Sequence, residues 1–320
     1  MENEYTYAVA RVRALEISLV SNADVEKLIA CQNTEQCMQL LAEKGWNGDT
    51  KNAEDMLRCE EERIWKTVKE LSVDMEKFDV LSYSKLFHNL KAAIKASLTK
   101  AKVPHIFYDD VSIPGSEMLE IINEKKFDRL PANMQAAAKE AFDVFLKTKD
   151  GQLCDIIIDK AALDAIYAKG EEAGEDIIKQ YAESIVAVAD IKIAVRGQKT
   201  SKSAEFMRRA MADCKSVSAD KLIAAALVGI DAICDYLSGT QYADGAQALA
   251  TSPYAFERWC DNRIIKAISP QKYESFTIGP VIAYVIARQN EIKTVRNILS
   301  GKQNGLSEDS IRERVREMYV

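Results

Sequence analysis

The sequence is poor in residues that break helices and in residues that do chemistry. Six prolines, at 104, 114, 131, 253, 270 and 280, leave positions 1–103 and 132–252 without the strongest helix breaker. Only two histidines occur, His88 and His105, so no His-Glu-x-x-His zinc motif can form and neither stands at metal-ligand spacing from a cysteine. A Ser-His-Asp or Cys-His arrangement would have to recruit one of these two. His88 falls on an amphipathic stretch, where a surface or hydrogen-bonded core histidine is the simpler reading. The seven cysteines (31, 37, 59, 154, 214, 234, 260) form no Cys-x-x-Cys pair, and their odd number excludes a simple disulfide framework. In a context such as Ala232-Ile233-Cys234 a free thiol acts as a small hydrophobe. A reducing, cytoplasmic compartment is expected.

Basic excess is missing too. The formal net charge of -6 removes the positive face that nucleic acid requires. The longest apolar runs, Leu222 to Ile230 and Pro280 to Ala287, fall far short of the roughly 20 residues that span a bilayer. The opening Met1-Glu2-Asn3-Glu4 is acidic and carries no signal-peptide core. Thirteen glycines supply no Gly-x-Gly-x-x-Gly, and Gly301-Lys302-Gln303-Asn304-Gly305 lacks the spacer and Gly-Lys-Ser/Thr of a phosphate loop. It reads as a helix end and a turn. Acid clusters such as Glu60-Glu61-Glu62 and Glu171-Glu172, among 49 acids, read as solvated helix surface. No catalytic, cofactor-binding or metal-binding residue is assigned, and no cofactor is expected.

What is present is helix. Ile177, Tyr181, Ile185, Val188, Ile191 and Val195 recur at steps of three and four, as do Phe87, Leu90, Ile94 and Leu98. Two-residue alternation is scarce. The fold class is all-α.

The chain also resembles itself. Asn89-Leu90-Lys91, Asp190-Ile191-Lys192 and Thr294-Val295-Arg296 each set a small polar residue, a branched aliphatic and a base in a row. The bases lie 101 and 104 residues apart, with a shorter echo at Arg11-Val12-Arg13. Ser203 and Ser307 each follow their base by 11 residues and each precede acids, the pattern of a capped helix start. Gly197 and Gly301 are placed to end the preceding helices. Ala23-Asp24-Val25-Glu26-Lys27-Leu28 is similar to Ala219-Asp220-Lys221-Leu222, each leading into an apolar helix that ends near Trp46 or Tyr242.

A period near 100 is too long for tetratricopeptide or HEAT units. It predicts three similar helical domains of about 100 residues, 1–103, 104–215 and 216–320. Val103 to Gly115 and Ser252 to Pro280 are the expected loops. Lys91, Lys192 and Arg296 are expected to be repeat-equivalent structural bases that close their own bundles, with three bases around one cavity as the alternative. Arg312, Arg314 and Arg316 alternate with Glu313 and Glu317, which predicts a salt-bridged helical face and, secondarily, a docking surface for an acidic partner.

Tyr5-Thr6-Tyr7-Ala8-Val9-Ala10-Arg11-Val12-Arg13-Ala14-Leu15-Glu16 resembles the opening of the C-type subunits of bacterial and archaeal V/A-type ATPases, relatives of the eukaryotic d-type subunits. Ile278-Gly279-Pro280 through Arg296, and then Gly301-Lys302-Gln303-Asn304-Gly305-Leu306, resembles the C-terminal signature of that family. Ser238-Gly239-Thr240-Gln241-Tyr242 fits its third domain. Thr294 and Asp190 stand where asparagine is common, Gln289 where an acid is common, and Thr277-Ile278-Gly279-Pro280 replaces a more acidic approach. The resemblance implies a funnel of three pseudo-threefold helical domains. It implies a non-catalytic rotor part, one copy per complex and a monomer when isolated, at the cytoplasmic face of a membrane. Its partners would be D- and F-type central-stalk subunits and the cytoplasmic loops of the proteolipid (c/K) ring, and it would transmit torque for proton or sodium transport. It would have no nucleic-acid partner and would meet the membrane only through the ring. The loops at 103–115 and 252–280 are expected to contribute to those contacts. A helical adaptor unrelated to a rotary ATPase is the alternative.

Overall fold

A computed structural model describes residues 5–47, 49–50, 52–99 and 106–320. His105, the start of the first expected loop at Val103 and the acidic opening at Met1–Glu4 lie outside the described residues. Among the described residues all regular structure is helical. In chain order the helices are α1 (Thr6–Glu16), α2 (Asn22–Ala30), α3 (Thr34–Glu43), α4 (Ala53–Glu70) and α5 (Asp79–Thr99). They continue as α6 (Gly115–Asn123), α7 (Ala132–Thr148), α8 (Gly151–Glu172), α9 (Asp176–Lys199) and α10 (Ala204–Ala210). The last six are α11 (Ala219–Val228), α12 (Ile230–Ser238), α13 (Ala243–Thr251), α14 (Pro253–Ile268), α15 (Gly279–Gln303) and α16 (Glu308–Arg312).

Local chemistry sets many of the starts. Ser21 and Asp24 form a reciprocal capping box on α2, and Asn33 and Asn52 cap α3 and α4 through the amides of Gln36 and Asp55. Ser203 and Ser307 cap α10 and α16 as their sequence context predicts, each accepting from the amide three residues on at 3.2 Å. Gly197 and Gly301 do not end helices. Each sits inside the last turn of a long helix, because a later side chain needs the space. A Cβ at Gly197 would lie 2.5 Å from Met207 Sδ, and one at Gly301 2.7 Å from Ile311 Cγ1. The chain turns just beyond, alike in both places: Lys202 N–H donates to Gly197 O and Leu306 N–H to Gly301 O, both at 2.9 Å. Ser201 and Gly305 supply the positive φ, 51° and 65°.

The expected loop from Ser252 to Pro280 is mostly helix. Ser252 caps α14 and Pro253 occupies its first turn, where a missing N–H costs nothing. A 3-10 turn, Ser269–Tyr273, follows, and only 274–278 is irregular before α15.

The chain packs as two compact units, residues 1–76 with 247–320, and residues 77–246. In the second, α5 lies on α6 and α8, α7 on α8, and α9 on α8 and α11. Phe87, Leu90 and Ile94 of α5 meet Met118, Ile121 and Ile122 of α6 and Phe142 of α7 in one core. In the first unit α15 packs on α4 and α1. Every residue from Gly279 to Arg288 is buried, so the apolar run from Pro280 to Ala287 belongs to a central core helix. Among the described residues no helix is long and apolar enough to cross a membrane.

A succession of helix lengths recurs. α2 to α5 have 9, 10, 18 and 21 residues, and α6 to α9 have 9, 17, 22 and 24. α11, α12, α14 and α15 have 10, 9, 16 and 25, with α13 inserted. Each succession ends in the long helix that carries Lys91, Lys192 or Arg296.

Candidate functional site

His88 and the buried thiols of Cys37 and Cys154 are occupied by structure. His88 Nε2 lies 2.9 Å from Ile106 O, and its ring stands edge-on to Tyr108. Burial pushes the thiol of Cys37 up to about 12 and that of Cys154 up to about 11, which removes thiolate character at neutral pH. Among the described residues no three potential metal ligands gather.

A buried electrostatic site belongs to the unit that joins both chain ends. Arg288 on α15 donates from Nη1 to Glu291 Oε1 at 2.6 Å and from Nη2 to Glu60 Oε2, on α4, at 2.5 Å. Trp46 Nε1 donates to the same Glu291 oxygen at 3.2 Å, and the Arg288 guanidinium lies 5.4 Å from the Trp46 ring centre. Asn47 N–H donates to Glu60 Oε1 at 3.1 Å. Glu60 and Glu291 are each 1% exposed and Arg288 6%. Burial raises the Glu291 carboxyl above its ordinary range, against the pull of Arg288. The reading of Glu60 as solvated surface is therefore corrected. Its position, four residues before Ile64 and three after Leu57, puts it on the apolar stripe of α4, and that spacing is the signal that betrays it. Arg288 and Glu291 carry no such signal, because the adjoining stretch Gly279 to Arg288 of α15 is buried on all sides.

Lys91, Lys192 and Arg296, read from the sequence as repeat-equivalent, are half-buried. Lys91 Nζ meets Asp159 of α8 at 2.7 Å, and Arg296 meets Glu54 at 2.7 Å and Glu61 at 3.3 Å, both on α4. Lys192 lies on α9. The two bases with these pairings each tie the long helix to a neighbouring helix of the same unit. Beside them, Asn89, Asp190 and Thr294 are all fully buried.

The salt-bridged face expected over 312–317 does not form. α16 stops at Arg312, with Ile311 packed over Gly301, and the chain then runs on without regular structure. Arg312 instead pairs with Glu26 and Asp309 at 3.1 and 2.9 Å, and Arg316 with Asp261 at 2.5 Å. The Arg314 guanidinium lies 5.8 Å from the Tyr254 ring centre. Arg314 and Arg316 line an open hollow of about 490 Å³, with Arg258, Glu257, Asp261 and Glu313 also in its wall. Charges of both signs line it, so it selects no ligand by charge.

Among the described residues the regular structure is helical, and the Arg288 cluster joins α4 to α15. Residues 8–314 match the family described as ATP synthase (C/AC39) subunit. Similar along nearly its whole length are the C subunit of the V-type sodium ATPase of Enterococcus hirae, 21% identical over 99% of both chains, and the C subunit of the A-type ATP synthase of Methanocaldococcus jannaschii. The latter is 24% identical over 96% of this chain and 85% of that protein. The chain belongs to the ATP synthase (C/AC39) subunit family and is a non-catalytic subunit of a V/A-type ATPase. Membership displaces the alternative of an unrelated helical adaptor.

Proposed function

We propose that this subunit links the central stalk to the membrane proteolipid ring and transmits torque between them, for ATP-coupled movement of protons or sodium ions. One observation carries the reading: full-length relatives bear the names of a sodium ATPase subunit and of an ATP synthase subunit. A part shared by machines named for opposite directions belongs to their common mechanical path. In this reading the chain divides by sequence into three modules, 1–103, 104–215 and 216–320, supported by the recurring helix succession. D- and F-type stalk subunits and the cytoplasmic loops of the ring are the partners, and the subunit sits peripherally on the cytoplasmic face.

Densely packed helices suit a part that must not yield under torsion. Lys91, Lys192 and Arg296 act as internal fasteners in this role. Arg314 is the most available of the three C-terminal arginines for an acidic partner, because Arg312 and Arg316 are engaged within the chain.

Affinity purification of the tagged subunit from native membranes tests the proposal. Recovery of a small, very hydrophobic proteolipid together with coiled-coil stalk subunits is the expected result. Recovery with neither would refute it.

A further inference from the structure

Asp190 is a carboxylate whose environment is at odds with carrying a charge. It lies in the middle of α9 and is fully buried. Its Oδ1 accepts the Ala212 amide at 3.1 Å, which fastens the segment after α10 to α9. Its Oδ2 is buried and, among the described residues, has no hydrogen-bond partner. The repeat gives the comparison. Asn89, at the equivalent place on α5, accepts the Tyr108 amide at 2.9 Å and donates to Tyr108 O at 2.7 Å and Ile113 O at 3.3 Å. There a neutral side chain fastens the following segment to the long helix. Thr294, the third equivalent, is neutral as well and fully buried. All three places hold an uncharged side chain if Asp190 keeps its proton.

We propose that Asp190 is a proton-operated latch: protonated, it holds the 211–213 segment against α9, and ionised, it draws water in and loosens that contact. A neutral acid can accept the Ala212 amide on its carbonyl oxygen and leave only an unpaired hydroxyl, a smaller cost than a buried charge. A carboxylate needs solvation on its second oxygen, and the packed site supplies none.

The Ala212 N–H, Lys160 and Arg208 favour the ionised form, but burial outweighs them. Lys160 of α8 is held by Asp164 at 2.7 Å, and Arg208 of α10 by Asp213 at 3.0 Å. Asp213 lies on the fastened segment, with Cys214 next to it, and Asp213 opposes ionisation. Asp220 of α11 faces Arg208 at 3.9 Å, while Asp231 and Asp235 of α12 act on Cys234. Burial is the largest influence and pushes the Asp190 carboxyl up to about 7. Ionisation of the native latch thus falls near neutral pH. The raised folded value means that its stability contribution is complete below about 3.8 and is lost as pH rises to about 7.

The latch lies within one unit and is independent of the rotary role, so a failed co-purification leaves it standing. Urea unfolding of the full chain and of Asp190→Asn, followed from pH 4 to 9, tests it. The wild-type unfolding constant should rise relative to the variant by at least about tenfold as pH passes from 4 to 8, and by about a thousandfold if the whole shift is realised, then level off. A wild-type to variant ratio independent of pH would overturn the proposal. Carboxyl carbon NMR of aspartate-labelled wild type gives a second reading that needs no variant. A buried carboxyl titrating near 7 supports the latch, and the absence of any aspartate titrating above about 5 overturns it.

Discussion

At the scale of single residues, polar groups placed inside helical cores hold the chain ends together. Arg288 pairs with both Glu60 and Glu291, all three nearly sealed from water, and Arg63 adds a second cation 3.5 Å from Glu60. Such clusters add little over well-packed apolar residues, but removing one partner strands a buried charge. Arg288→Met should therefore cost about 3–5 kcal/mol in urea unfolding. Adding Glu60→Gln and Glu291→Gln should recover a large part, and a single-variant loss below about 1 kcal/mol would contradict this account. Asp24 works in the opposite sense. Burial opposes its charge, but hydrogen bonds from Lys44, Ser21 and Lys27 prevail and hold the carboxyl well below its usual range. With a depressed folded value, its stabilisation is complete above the unfolded value near 3.8 and disappears as pH falls below that. Acid unfolding of Asp24→Asn should accordingly lose part of the wild-type slope below about pH 4, as read by helical circular dichroism. An unchanged slope would show that the capping box carries no linked proton.

At the scale of helices, the sequence periodicities of α5 and α9 and the serine caps of α10 and α16 correspond to what forms, since both signals are local. The glycines are misleading for a physical reason. A glycine that ends a helix and one that admits a neighbour look alike within their own turn. The difference lies ten residues on, in Met207 and Ile311. The same limit hides α14: Ser252-Pro253 reads as a breaker, yet serine at the cap and proline in the first turn together begin a helix. Arg314 and Arg316 lie beyond the end of α16, whose Ile311 packs over Gly301, a contact no spacing rule contains. The pairing of the glycines with distant side chains gives a graded expectation. Gly301→Ala forces a Cβ to within 3.0 Å of two Ile311 carbons, whereas Gly197→Ala meets the flexible thioether end of Met207. Gly301→Ala should thus destabilise by about 1–3 kcal/mol in thermal or urea unfolding. Gly197→Ala should cost less, since a mobile neighbour gives way and alanine favours helix by about 0.5–1 kcal/mol. The reverse ranking would mean that the close approach of α16 is not what fixes Gly301.

At the scale of the whole molecule, sequence period and packing partition the chain on different principles. The period follows similarity along the chain, while packing follows which helices share a core. Each long helix that closes a succession also packs on the helices of another: α5 on α6 and α8, α9 on α11, α15 on α1 and α4. A period cannot reveal this, because the exchange leaves every local spacing unchanged. The consequence is that residues 1–76 depend on the far end of the chain. Arg288 holds Glu60, Arg296 holds Glu54 and Glu61, Lys302 donates to Ile29 O, Arg312 pairs with Glu26, and Met318 N–H donates to Asn22 at 3.1 Å. A chain ended after Ile278 loses all of these together with the core helix α15. Hydrogen exchange should then show α1 to α4 unprotected, while α5 to α9 keep their protection, their core being complete within residues 77–246. Protection of α1 to α4 equal to that in the full chain would show that the N-terminal helices possess a core of their own. Loss of protection throughout would show that the two units fold only as one.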